Sequence, residues 1–193
     1  MNQTQDFTKG VIWKQLLFFF FPILIGSFFQ QLYNTVDTII VGQAVGTSAL
    51  AAVGSTGNLT SLIVNFYVGL STGASVVIAQ YYGAQNEKKI HQAVHTSYML
   101  AIVSGILMML FGLFFSYQCL DAIGTPHDIL NDATLYMQLY FLCMIPGAIY
   151  NIGAGILRAV GDSKRPLYYL IVCSIVNVVF DFIFVVIFHQ GIA

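Results

Sequence analysis

LLFFFFPILIGSFFQQLYNTVDTIIV, residues 16–41, decides the fold class. Its first half, Leu16 to Phe29, is almost wholly apolar and follows Lys14, as the core of a secretory signal would. It then runs into Gln30 and Gln31 with no small-x-small cleavage site, so it reads as a retained membrane span. About 20 apolar residues cross a bilayer core. Four more segments meet that length, which places spans at about 15–41, 52–80, 92–117, 132–157 and 166–189. The expected fold is an all-α polytopic membrane protein with five transmembrane helices.

Composition agrees. The chain is 58% hydrophobic and 8% charged, whereas a soluble domain carries about 25% charged residues. A soluble fold has nowhere to hide that much apolar surface. The net charge of -1 is segregated by side and makes no basic patch, so no nucleic-acid partner is expected. All 7 Lys and Arg residues (Lys9, Lys14, Lys88, Lys89, Arg158, Lys164, Arg165) precede the first span or fall in the loops 81–91 and 158–165. The outer turn 42–50 and the outer segment 118–131 have none, and Asp121, Asp128 and Asp132 lie in or beside the longer one. Short basic loops stay in the cytoplasm. The reading is therefore a multi-pass cell-membrane protein with its N terminus inside and the end of this sequence outside. So strict a bias argues against insertion in both orientations.

Enzyme chemistry leaves no trace. No Walker loop, nucleophile elbow or G-x-G-x-x-G occurs, so neither an ATPase nor a hydrolase is expected, and no cofactor. His91 and His95 are spaced i, i+4 but lack a third ligand and read as a solvated helix end, so no metal is expected. Cys119, Cys143 and Cys173 have no C-x-x-C spacing and read as packing residues. Glu87 and Asp162 read as solvated loop acids.

Two carboxylates inside the spans point to function. Asp37 and Asp181 have no Lys or Arg within the spans to neutralise them, and an acid in hydrocarbon is costly and persists where a cation must come and go. Gln30, Asn34 and Asp37 share one face of the first helix, flanked by Tyr33 and Thr38. Ser174, Asn177 and Asp181 share one face of the fifth. At about 1.5 Å per residue, Asn177 and Asp181 lie roughly 18 to 24 Å from Arg165, and Asp37 roughly 35 Å from Lys14. Both faces reach the outer half of the bilayer. Facing each other, they make an oxygen-rich pocket that protons, a hard monovalent cation or a cationic organic substrate can neutralise. Competition among those three is the physics of an antiporter. Asp37 has a plainer alternative, capping its helix five residues before Gly42.

Other features are read more than one way. Asn58, Ser61, Asn65 and Thr72 make a stripe on the second helix that suits interhelical hydrogen bonds and cavity lining equally. Tyr136, Met137, Tyr140 and Met144 on the fourth helix are candidates for a greasy, adaptable lining. Pro22 and Pro146 each remove a backbone hydrogen bond and bend their helices. The pairs Gly42/Gly46 and Gly69/Gly73 read as close helix packing.

Several of these motifs occur together in one family. Pro22, then Gln30-x-x-Tyr33-x-x-x-Asp37 and Val41-Gly42; Gln80-Tyr81-Tyr82-Gly83-Ala84 with Lys88-Lys89; Leu157-Arg158-Ala159-Val160-Gly161-Asp162 leading to Pro166; and Asn177-x-x-x-Asp181 lie in family order along nearly the whole chain. In these the sequence resembles the N-terminal lobe of the multidrug and toxic compound extrusion (MATE) transporters. The resemblance implies two six-helix lobes around a central cavity, exporting cationic, amphipathic compounds in exchange for protons or sodium. It implies a cation site at Asp37, Asn177 and Asp181 and helix bending at Pro22. The family's sixth helix and C-terminal lobe, which transport is expected to need, are absent from this sequence, whose end at Phe188 to Ala193 looks like a turn leading into a further helix. The alternatives are a lipid-linked oligosaccharide flippase of the same superfamily, which the lack of Lys or Arg inside the spans disfavours, and a truncated membrane protein that does not transport.

Overall fold

In hydrocarbon each backbone N–H and C=O must find its partner within its own segment, which leaves the helix as the way for these apolar runs to cross. The computed structural model describes residues 11–44, 47–181 and 183. Of Tyr33, Asp37, Thr38, residues 40–44 and 47–50, and Asp181, only the backbone is described. Six helices occur among the described residues: α1 (Ile12–Ala44), α2 (Thr47–Gly83), α3 (Glu87–Ala122), α4 (Leu130–Leu142), α5 (Met144–Ala159) and α6 (Lys164–Asp181). Three of them, α1, α2 and α3, are long and apolar enough to span, and α4 with α5 makes a bent fourth. The sequence-predicted fifth span, 166–189, corresponds to α6 as far as Asp181, and its remainder lies outside the described residues apart from Ile183.

The helices run past their predicted ends. The expected outer turn 42–50 is largely helical, with α1 continuing to Ala44 and α2 starting at Thr47. Glycine costs a helix about 1 kcal/mol in water, but near a bilayer the unpaired backbone costs more.

The single predicted span 132–157 is instead two helices meeting at Cys143 with a bend of 51°. Pro146 explains the break. It has no N–H to offer Leu142 and its ring crowds that carbonyl, so one helix stops and the next begins with proline in its first turn, where no donor is needed. Pro22, by contrast, lies buried within an uninterrupted α1.

Short connections make successive spans antiparallel. Consequently α1, α3 and α6 run one way, and α2 and the α4–α5 pair the other. Helices α2, α3, α4 and α5 pack on one another, while α1 and α6 pack chiefly together. The core is built by α2–α5 and includes Ile63, Tyr67, Ala101, Leu120, Met137, Phe141 and Ile152. Glycine lets these helices approach: a Cβ on Gly112 of α3 would run into the Phe141 ring of α4, and one on Gly105 would sit 3.1 Å from the Cα of Ile145. Hydrogen bonds also cross between these helices, from Ser71 Oγ of α2 to the Asn151 carbonyl of α5 (2.7 Å) and from Gln138 Nε2 of α4 to the Leu113 carbonyl of α3 (3.2 Å). Outward faces carry exposed Phe18, Phe28, Leu62, Leu107, Phe114 and Val172, as a protein solvated by lipid requires.

Candidate functional site

Helices α1 and α6 meet at Gly26, where an added Cβ would sit 3.5 Å from the side chains of Leu167 and Leu170. The two helices are parallel, so distance from this contact measures relative height. The step from Gly26 to position 37 equals the step from Leu170 to position 181, about 16 Å of helical rise. Within about one turn of this level Asn34 on α1 and Asn177 on α6 are exposed, and Gln30, about two turns below it on α1, is exposed as well. Asp37 belongs to α1 and Asp181 ends α6; their side chains, with that of Tyr33, lie outside what the structure describes. Ser174 does not join this exposed group: it is buried, and its hydroxyl donates to the Leu170 carbonyl at 2.8 Å.

Every basic residue described stands at a helix end: Lys14 in the first turn of α1, Lys88 and Lys89 in the first turn of α3, Arg158 in the last turn of α5, and Lys164 and Arg165 at the start of α6. With the spans alternating in direction, all of these ends lie on one side. The interior stretches of α1 and α6 thus hold acids and amides with no cation along their length.

The expected α4 lining separates into two kinds. Met137 is fully buried within the core cluster and packs rather than lines, a correction to the sequence reading. Tyr136, which precedes it, and Tyr140, one turn on, are half-buried. On α2, Asn58, Ser61, Asn65 and Thr72 are all exposed. Ser71, one position from that stripe, bonds across to α5. Gly69 and Gly73 were expected to pack closely, yet an added Cβ at either meets nothing within 4 Å. The close approach belongs to Gly155, where a Cβ would collide with Ser71 Oγ and stand 2.7 Å from Ser75 Oγ.

Asp162, read from the sequence as a solvated loop acid, is instead buried and partnered, a correction to that reading. It is 5% exposed, its Oδ1 accepts from the backbone N–H groups of Lys164 and Arg165 at 3.1 Å each, and its Oδ2 lies 3.1 Å from Arg165 Nε. Gly161 before it has φ +85°, the left-handed turn that ends α5. The signal was present as Gly161-Asp162 followed by Pro166: a helix stop, a capping acid and a proline in the next first turn. Among the described residues no group of three or more His, Cys, Asp or Glu comes together, and all three cysteines are free.

The family model MatE matches residues 22–183. The chain is 31% identical over 175 residues to the probable multidrug resistance protein YoeA of Bacillus subtilis, covering 91% of this chain and 38% of that protein. It is 29% identical to the probable multidrug resistance protein YpnP of the same organism, over 97% of this chain and 42% of that one. A crystal structure of MATE in complex with MaD3S superimposes with a TM-score of 0.90 at 26% identity, covering 100% of this chain and 43% of that chain. The chain therefore spans about two-fifths of the length of the relatives it matches. Matched family, shared helical fold and membrane-spanning helices agree that this chain belongs to the MatE family of membrane transport proteins, which are not enzymes.

Proposed function

We propose that this chain forms the first lobe of a cation-coupled exporter of cationic, amphipathic compounds, with Asp37, Asn177 and Asp181 holding the coupling proton or sodium ion. The observation that carries the reading is the register of α1 against α6. Eleven residues make close to three turns of helix. Position 37 therefore repeats the face of Gly26, which contacts α6, and position 181 repeats the face of Leu170, which contacts α1. Two acids at one height on facing sides of parallel helices, away from every Lys and Arg, repel unless a cation lies between them. A cationic substrate entering the same space displaces that cation, and the displacement couples the two fluxes. Gln30, Tyr33, Asn34, Asn65, Tyr136 and Tyr140 supply the surrounding lining, and bending of α1 at Pro22 opens and closes it. The basic ends face the cytoplasm. The multidrug names of the Bacillus relatives support the cargo class. A relative from Shewanella oneidensis, 24% identical, is named as an FAD transporter; an anionic cargo of that kind would call for cations in the helix interiors, where the described residues have none.

The test is gradient-driven efflux of a fluorescent cationic dye from proteoliposomes holding the whole transporter. Asp37→Asn and Asp181→Asn should each reduce efflux to the protein-free level while inserting normally. Wild-type efflux from both variants would make the two acids bystanders.

A further inference from the structure

Between α2 and α3, on the half nearer the basic helix ends, lies a cleft of about 570 Å³. Its floor includes Gly69, Gly73 and Val77 of α2, and its mouth includes Tyr81 of α2 with Lys89 and Gln92 of α3. We propose that this cleft holds one anionic phospholipid, its acyl chain along Gly69, Gly73 and Val77 and its phosphate at Lys89 and Gln92.

Length, shape and charge each fit that occupant. From Gly69 to Tyr81, and from Lys89 to Leu100, the walls of the cleft rise roughly 16 to 18 Å. That is the depth of one leaflet, half of a hydrocarbon core about 30 Å thick. The floor is smooth because its glycines carry no side chain, and an added Cβ at Gly69 or Gly73 meets nothing within 4 Å. No Asp or Glu lines the cleft, and Glu87, which heads the same helix as Lys89, is not among its walls. Lys89 is held over the mouth, its Nζ 5.3 Å from the centre of the Tyr81 ring, while its backbone N–H is capped by Asn86 Oδ1 at 3.2 Å. A basic residue at the mouth of an interhelical pocket on the cytoplasmic side is complementary to an anionic headgroup, and that leaflet carries the anionic lipids. A zwitterionic lipid fits the floor equally well but gains less at Lys89.

The leaflet assignment rests on the orientation proposed above. Lipid selectivity is measured without regard to orientation or export, so the two readings fail separately. The experiment is native mass spectrometry of the purified transporter offered phosphatidylglycerol and phosphatidylcholine of equal tail length at equal concentration. Phosphatidylglycerol should be retained several-fold more. Lys89→Gln should erase the preference, and Gly73→Leu, which fills the floor without meeting another side chain at its Cβ, should lower retention of the bound lipid. Lys88→Gln, outside the cleft walls, should alter neither. Equal retention of the two lipids by the wild type, as when a polypeptide segment fills the cleft, would overturn the proposal. So would a preference that survives both Lys89→Gln and Gly73→Leu.

Discussion

The α2–α5 group and the α1–α6 pair are made of similarly apolar helices, yet they spend their polar residues differently. In α2–α5 polar atoms close onto protein at the helix contacts, Ser71 onto Asn151 and Gln138 onto Leu113, with Gly105, Gly112 and Gly155 bringing the backbones together, while the stripe Asn58, Ser61, Asn65 and Thr72 of α2 stays exposed. In α1 and α6 the amides Gln30 and Asn177 are exposed, and α1 packs chiefly on α6. Lipid gives helices no hydrophobic reason to associate, so small residues and interhelical hydrogen bonds must hold them. Where those devices are dense the protein is a scaffold. Where they are sparse and polar faces remain open, a pair of helices is free to bind something and to move.

Breaking the scaffold should be the larger effect on stability. Gly112→Leu drives a side chain into Phe141, and overpacking of this kind costs about 1 to 3 kcal/mol or more. The expected outcome is loss of the folded peak in fluorescence-detection chromatography, while Gly54→Leu, open at its Cβ, keeps it. Asp162→Ala removes the acceptor at the start of α6 and should lower stability by about 1 kcal/mol. A thermal melt in detergent checks this, and Glu87→Ala, exposed at the start of α3, should move it less. Ser71→Ala deletes one bond between α2 and α5 and should cost about 1 kcal/mol, again as a lower melting temperature with efflux retained.

Orientation decides which leaflet and which side each region serves. In a cysteine-free background, Lys88→Cys and Lys164→Cys, both exposed, should resist an impermeant thiol reagent added outside, and Asp128→Cys should react. Labelling of the first two from outside would invert the topology.

How far the sequence discloses this division differs between regions. Spans α1 to α3 follow from hydropathy, because apolar length is the property the bilayer selects. The break at Cys143 was less legible: Pro146 announces a bend, but the helix ends four residues earlier, at Leu142, whose carbonyl the proline crowds. Met137 and Tyr140 look alike as greasy residues, and only the packing of α4 on α3 tells that the first is core and the second half-exposed. Gly69 and Gly73 have the spacing of a packing motif, while Gly155 does the packing, since spacing reports which residues share a face and not what that face meets. Asp37 and Asp181 stood out because charge in an apolar run is rare, and Asn177 because it lies one turn from Asp181, whereas the matching heights of positions 37 and 181 required knowing that α1 and α6 are neighbours.

The central claim is that positions 37 and 181 face each other as one site. In a cysteine-free background, the pair Asp37→Cys with Asp181→Cys should be joined by a short bis-thiol reagent, and Asp37→Cys with Tyr168→Cys, lower on α6, should not. A cross-link confined to the first pair is the predicted result. No cross-link in the first pair, or equal reaction of both, would contradict the account.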